Sequence, residues 1–259
     1  AVMLFEPQPR EYFMGDKAPA RLMRLRDKLH YLAEAGVDVV IVAKFDRTFA
    51  NLPAEQFIED WLVRKLNVKF LSIGDDFKFG AKRLGNFAML QQAGKQFGFE
   101  VEDSRTFCLD ELRISSTAIR EALAKDDLQH AQNLLGKPYR IFGRVIHGNK
   151  LGRTIGFPTA NVRLHRQVNP VKGVYAVKVR LKSGEIFDGV ANMGKRPTIN
   201  GTIQLLEVHL FDFSKNIYGQ MVEVEFCHKI RDEIKFPSFE ALKAQIEQDV
   251  KTAKAFFAK

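Results

Sequence analysis

The feature that most limits how this chain folds is a change in its hydrophobic period. Through roughly the first half, short apolar runs alternate with stretches whose apolar residues recur at helical spacing. Leu22, Leu25, Leu29 and Leu32, closed by Gly36, predict a helix over 21–35. Residues 37–42 form an apolar run with one interruption, as a strand buried on both faces does. A helix over 53–66, a strand over 68–73, a helix over 86–97 and a strand over 100–107 follow. Such alternation argues for a parallel sheet with helices on both faces, with ligands beyond the carboxyl ends of the strands. Asp126 and Gln129 suit a capping box for a short helix over 126–135, which Gly136 and Pro138 stop. The boundary is therefore expected near Gly136, giving domains 1–136 and 137–259.

Beyond it the helical period vanishes until Ser238. Strands are expected over 139–147, 173–181, 185–192, 205–211 and 221–228, with Lys182-Ser183-Gly184 as a hairpin turn. Closely spaced antiparallel strands of this kind suggest a small barrel, which removes exposed edges. Phe239, Leu242, Ile246 and Val250 lie at core spacing in a closing helix that runs to about Phe257.

Between the first two of these strands stands the run from Gly148 to Asn161, with Lys150, Gly152, Arg153, Gly156 and then Pro158-Thr159-Ala160-Asn161. Glycines let backbone amides converge on an anion, and the two cations suit a polyphosphate. Pro158 biases Phe157 toward an extended backbone, so Thr159 and Asn161, two apart, share a face. A hydroxyl there suits Mg²⁺ and an amide suits phosphate oxygens; the plainer alternative is a glycine-rich surface loop.

Three other places have chemical potential. Gly74-Asp75-Asp76-Phe77-Lys78-Phe79-Gly80 follows a strand and is either an acidic turn or a nucleotide contact. Arg113-Ile114-Ser115-Ser116-Thr117 opens a helix, where free amides favour phosphate but where Ser and Thr also serve as plain N-caps. In Leu205-Leu206-Glu207-Val208-His209-Leu210, one face is apolar and the other presents Glu207 and His209. Glu207 is either a solvent-facing glutamate or the base that a kinase acting on an alcohol requires.

These stretches, in order, resemble the bifunctional bacterial FAD synthetases. Gly152 to Asn161 matches the riboflavin kinase string Gly-Arg-x-x-Gly-x-Pro-Thr-Ala-Asn, and the Glu207 strand matches its catalytic strand. Phe5-Glu6-Pro7-Gln8-Pro9, Gly74 to Gly85 and Ile114 to Arg120 match the FMN adenylyltransferase half. Asn192 to Thr198 resembles a turn near the active-site mouth, and Ile230 to Phe236 a flavin-side loop. The resemblance implies a Rossmann-like nucleotidyltransferase domain followed by a small antiparallel β-barrel kinase domain with a C-terminal helix. It implies riboflavin, FMN, FAD and ATP as substrates or products, with Mg²⁺. It gives Glu207 the role of base, and phosphate to Gly148, Lys150, Gly152, Arg153, Gly156 and Asn161. Thr159 takes the metal, Arg231 and Phe236 the flavin, and Asp76, Arg113, Ser116 and Thr117 the adenylyltransferase nucleotide. The family's first strand and its histidine-bearing loop lie upstream of Phe5, so a segment before Ala1 is expected. Without that loop, adenylyl transfer by the stretch as written is expected to be inefficient.

Composition leaves room for this reading. A net charge of +9 suits phosphorylated ligands, while the scattering of its 40 Lys and Arg gives no dense stripe for nucleic acid. Cys108 and Cys227 stand far apart, in no disulfide or zinc pattern, and no apolar run approaches a membrane span. Small-molecule partners and a cytoplasmic location are expected. A flavin-binding barrel without kinase activity is the main alternative, although a mere binder needs neither Pro-Thr-Ala-Asn nor Glu207.

Overall fold

The computed structural model describes residues 1–74, 76–104, 108–109, 112–148, 156–164, 168–198 and 201–259, with backbone alone at 108–109, 112–113, 195–198 and 201–203. It divides into two compact units, Ala1–Ala18 with Leu32–Ile114 and Pro19–Tyr31 with Ser115–Lys259.

In the first unit β1 (Val2–Glu6) pairs in parallel with β2 (Val40–Lys44), in register from Val2 opposite Val40 to Glu6 opposite Lys44. Likewise β3 (Phe70–Ile73) pairs in parallel with β4 (Glu100–Asp103). Helical segments supply the crossovers that parallel pairing demands. Between β1 and β2 the chain forms α1 (Pro9–Met14), in this unit, and α2 (Leu25–Glu34), whose residues up to Tyr31 belong to the second unit. After β2 come α3 (Arg47–Ala50) and α4 (Ala54–Gln56), which runs on as a π-helix over Phe57–Lys65. The helix α5 (Phe87–Phe97) joins β3 to β4, and its Asn86 cap accepts a hydrogen bond from the Met89 amide. Phe57, Ile58, Leu62, Phe79, Leu90 and Phe99 form the core of this unit. A short antiparallel pair, β5 (Cys108–Leu109) with β6 (Leu112–Arg113), ends it.

The second unit holds α6 (Ser116–Ala124), α7 (Leu128–Leu135) and six strands: β7 (Arg140–Ile146), β8 (Ala160–Arg163), β9 (Gly173–Leu181), β10 (Ile186–Thr198), β11 (Gly201–Leu210) and β12 (Met221–Arg231). They close into a barrel in the order β10-β11-β8-β7-β12-β9, as the strand spacing predicts. Val145, Val162, Leu206 and Met193 lie opposite one another along four adjacent strands, each at most 1% exposed, and fill the interior. Gly143 is demanded here, because a Cβ on it would lie 2.2 Å from Val162 Cγ1. The helix α8 (Phe239–Phe257), capped by Ser238, covers part of the outside. Val250, Ala253, Phe256 and Phe257 pack there on Val174, Ala176, Val190 and Phe211. This explains why β9 is buried on both faces at its start but alternates further on, where Lys178 and Arg180 point outward.

Two local expectations change. The cap of α7 is Asp127, whose carboxylate accepts from the His130 amide, and not Asp126. Asp126 sits at φ +57° in the preceding turn and spends its carboxylate on Tyr175 and on Lys229, 2.8 Å away. The stretch from Asn192 to Thr198 is strand, not turn, since β10 stays paired with β11 until Thr198 meets Gly201.

Arg231, at the end of β12, grips Asp249 of α8 through Nε at 2.9 Å and Nη2 at 2.7 Å. Asp249 is 4% exposed and Arg231 19%, so removing the carboxylate strands a partly desolvated cation. Asp249→Ala is expected to destabilise the protein by about 3 kcal/mol, the lower end for a broken buried pair because Arg231 keeps some water. Denaturant unfolding checks this.

Candidate active site

The barrel places one polar row on its outer face. Antiparallel partners share a face. The pairings run from Ile146 on β7 to Asn161 on β8, Glu207 on β11, Asn192 on β10, Val174 on β9 and Arg231 on β12. At one end the row is apolar; at the other it passes under α8 and finishes in the Arg231–Asp249 pair. In the middle, Asn161, Glu207 and Asn192 stand side by side. Asn161 is 4% exposed, and its Oδ1 has no hydrogen-bond partner among the described residues. A buried amide oxygen left that way costs on the order of 1–3 kcal/mol, which a ligand or cation relieves.

The chain after β7 crosses closely over this row. A Cβ at Gly148 would fall 2.2 Å from Asn161 Nδ2 and 2.5 Å from its Cγ, so the glycine makes room for that carboxamide. Gly156 has φ +88°, in the left-handed region that only glycine adopts freely. Lys150, Gly152 and Arg153 lie outside the described residues. Phe157 and Pro158 are held by His209, whose ring stands edge-on to Phe157 and whose Nδ1 lies 2.9 Å from Pro158 O. Because a carbonyl only accepts, His209 Nδ1 carries the proton in that bond. His209 thus anchors the backbone one residue before Thr159, in keeping with a supporting role.

Thr159 lines a cleft of about 610 Å³ together with Pro158, Ala160, Leu210 and the segment Phe213 to Tyr218. On its far wall Tyr218 stacks on His147, ring centroids 3.9 Å apart. Sequence reasoning passed over this wall. Its residues follow no strand or helix period, because the chain turns at Asp212 (φ +51°) and again at Gly219 (φ +78°); the signal available was Phe213, Ile217 and Tyr218 around a short polar stretch.

Of the residues expected at the flavin, Arg231 has its guanidinium committed to Asp249 and lies 5.5 Å from the Phe236 ring centroid. Between them, the Glu233 carboxylate rests on β10. A Cβ on Gly194 would meet its Oε1 at 2.3 Å.

Asp76 stands in the turn after β3, where the Phe77 amide bonds Gly74 O. Ser115 is the cap of α6, accepting from the Ala118 amide, so Ser116 and Thr117 in the first turn are exposed and spared from capping. Arg113 is described by its backbone alone, on β6. Arg120, which flanks this turn, bonds Ala20 O and Ser116 O.

The donors gathered here are hard oxygens. Thr159 and the orphaned Asn161 Oδ1 suit Mg²⁺, which takes few protein ligands and completes its shell with phosphate and water. No group of three or more His, Cys, Asp or Glu that could hold a metal occurs among the described residues, so a metal would rest on such a sparse set.

Comparison with known proteins agrees with both halves. Residues 135–257 match the riboflavin kinase family and residues 1–118 the FAD synthetase family. A bifunctional riboflavin kinase/FMN adenylyltransferase of Haemophilus influenzae is 83% identical over 257 residues, covering 99% of this chain and 83% of that relative. The protein of the same description from Escherichia coli K12 is 58% identical, covering 99% and 82%. A crystal structure described as a macrolide-efflux protein from Streptococcus pneumoniae superposes with a TM-score of 0.76 at 32% identity, covering 96% of this chain and 81% of that one. Among the described residues of this chain no helix is long and apolar enough to cross a membrane. With identity this high along nearly its whole length, and with both constituent families matched in order, the chain belongs to the bifunctional riboflavin kinase/FMN adenylyltransferases.

Proposed function

We propose that the outer-face row of the barrel is the riboflavin kinase site, with Glu207 as its base. The protein is an enzyme of flavin cofactor synthesis, phosphorylating riboflavin to FMN and adenylylating FMN to FAD. The observation that supports the kinase assignment best is the register pairing of Glu207 with Asn161, two residues after Thr159. It brings a carboxylate beside a buried amide oxygen and next to the mouth of a nucleotide-sized cleft.

In this reading the cleft takes the adenosine of ATP, extending the His147–Tyr218 stack. The phosphates lie toward Gly148, Gly156 and Asn161, with Lys150, Gly152 and Arg153 supplying amides and charge. Thr159 and Asn161 would hold Mg²⁺, which when bound would neutralise phosphate charge. Glu207 accepts the proton of the ribityl 5′-hydroxyl as that oxygen bonds to the γ-phosphorus and ADP departs. His209 keeps Thr159 in place through Pro158. Phe236 stacks on the flavin, and Arg231, fixed by Asp249 and by the Asp232 carbonyl, backs that ring at the flavin edge. The kinase domain spans 137–259. The adenylyltransferase domain spans 1–136, with Asp76 at the nucleotide, and with Arg113 of β6 and Ser116 and Thr117 on the exposed first turn of α6 at phosphate. Both reactions consume ATP and act on small molecules, so a cytoplasmic setting without a nucleic-acid partner completes the proposal.

Incubation with riboflavin and MgATP, followed by chromatography of the flavins, tests it directly. FMN is the expected product of the kinase site, and unchanged riboflavin from folded protein refutes the assignment. Glu207→Gln, which keeps the shape but not the basicity, is expected to slow FMN formation by about 10²–10⁴-fold with ATP affinity retained; near-normal turnover rules out the base. Tyr218→Ala should raise KM for ATP about tenfold through lost stacking while leaving KM for riboflavin nearly unchanged, as steady-state kinetics in each substrate would show.

A further inference from the structure

Asn192 is the member of the polar row that the kinase reading leaves without work. It lies directly opposite Glu207, on the side away from Asn161. Its backbone is part of a continuous strand and its side chain is half-buried. Yet its Oδ1 is fully shielded from water and has no hydrogen-bond donor among the described residues. An amide oxygen only accepts, and so does a carboxylate; Glu207 as a base therefore gives it nothing. Such an oxygen is matched by a ligand that brings a proton to donate.

The place of Asn192 in the sheet says which ligand. The nucleotide cleft is lined from β7, β8 and β11 and the segments beside them, with no residue of β10, the strand of Asn192. On its own flank, two residues along the same face of β10, Gly194 carries the Glu233 carboxylate against its backbone. Glu233 belongs to the segment that holds Arg231 and Phe236. Glu207 thus separates a nucleotide side from an acceptor side, and Asn192 lies on the acceptor side. Opposed side chains on neighbouring strands stand about 5 Å apart at Cβ. A polyol with one hydroxyl at Glu207 carries its next hydroxyl on the adjoining carbon, within reach of the adjoining strand.

We propose that Asn192 Oδ1 accepts a hydrogen bond from the ribityl hydroxyl next to the one phosphorylated, making Asn192 a substrate-binding residue that selects for a polyol chain. This rests on the kinase reading. A buried acceptor built for a hydroxyl discriminates strongly against a substrate that lacks it, because the acceptor then stays unmatched.

The test pairs substrate and residue. Riboflavin and its 4′-deoxy analogue both keep the 5′-hydroxyl, and kcat/KM is measured for each with the wild-type enzyme, Asn192→Ala and Asn192→Ser. Wild type is expected to prefer riboflavin by about 10–100-fold. Asn192→Ala should lower kcat/KM for riboflavin to near the wild-type value for the analogue and reduce the preference to within about twofold. Asn192→Ser, which keeps an oxygen acceptor with a smaller side chain, should retain part of the preference and guards against a folding defect in the alanine variant. If the preference for riboflavin is as large in Asn192→Ala as in wild type, or if wild type has none, the inference is overturned while the kinase site stands. If wild type phosphorylates neither flavin, it is the kinase reading that falls.

Discussion

The register between β8, β11 and β10 is the constraint on which the site depends. Antiparallel pairing sets Asn161, Glu207 and Asn192 abreast on one face and Val162, Leu206 and Met193 abreast on the other. The second row fills the barrel interior, so the first cannot shift. A slip of one residue on any of these strands would turn its interior side chain outward and bury a polar one. Closure of the barrel strengthens this, because each strand is held in register from both sides. Core packing and site geometry are therefore enforced by the same hydrogen-bond ladder.

Outside the barrel, two devices hold the edges of the row. At one end α8 covers Val174 and ties Arg231 to Asp249. At the other, Gly148 and the His209 bond to Pro158 bring the approach to β8 down onto Asn161. A carboxamide buried with an unmatched oxygen is tolerable only in a protein whose remaining packing over-determines the position. The interior of this barrel, with Val145, Val162, Leu206 and Met193 at most 1% exposed, provides that. The same excess of packing over need is what lets an enzyme keep acceptors dry for a substrate to meet.

Much of the fold is legible in the periodicity. The strand–helix alternation, the shift to closely spaced strands and the closing helix all reflect which faces must be buried. Asn86 and Ser238 as caps follow from local chemistry. Legibility fails where tertiary contacts override a local rule. Asp126 has the right spacing for a cap, but Tyr175 and Lys229 of the barrel claim its carboxylate and Asp127 takes over. Asn192 to Thr198 resembles a turn of the FAD synthetases, yet the ladder with β11 carries it on as strand. Arg231 reads as a free cation for a ligand, and its main partner proves to be 18 residues further along the chain, in α8. The Tyr218 wall leaves no trace in any period.

The sequence by itself determined the residue chemistry of this protein. The run ending in Pro-Thr-Ala-Asn, the two-faced strand of Glu207 and the alternation of the first half are local patterns, readable because backbone geometry imposes periods of 2 and 3.6. Only the tertiary structure decided which of those residues meet. Thr159 and Asn161 are neighbours by sequence, but Asn161, Glu207 and Asn192 become neighbours through strand pairings, and His147 and Tyr218 through the closure of a cleft. The physical reason is that a period specifies which face a side chain occupies, whereas register and closure, settled by the packing of the whole interior, specify what stands opposite it.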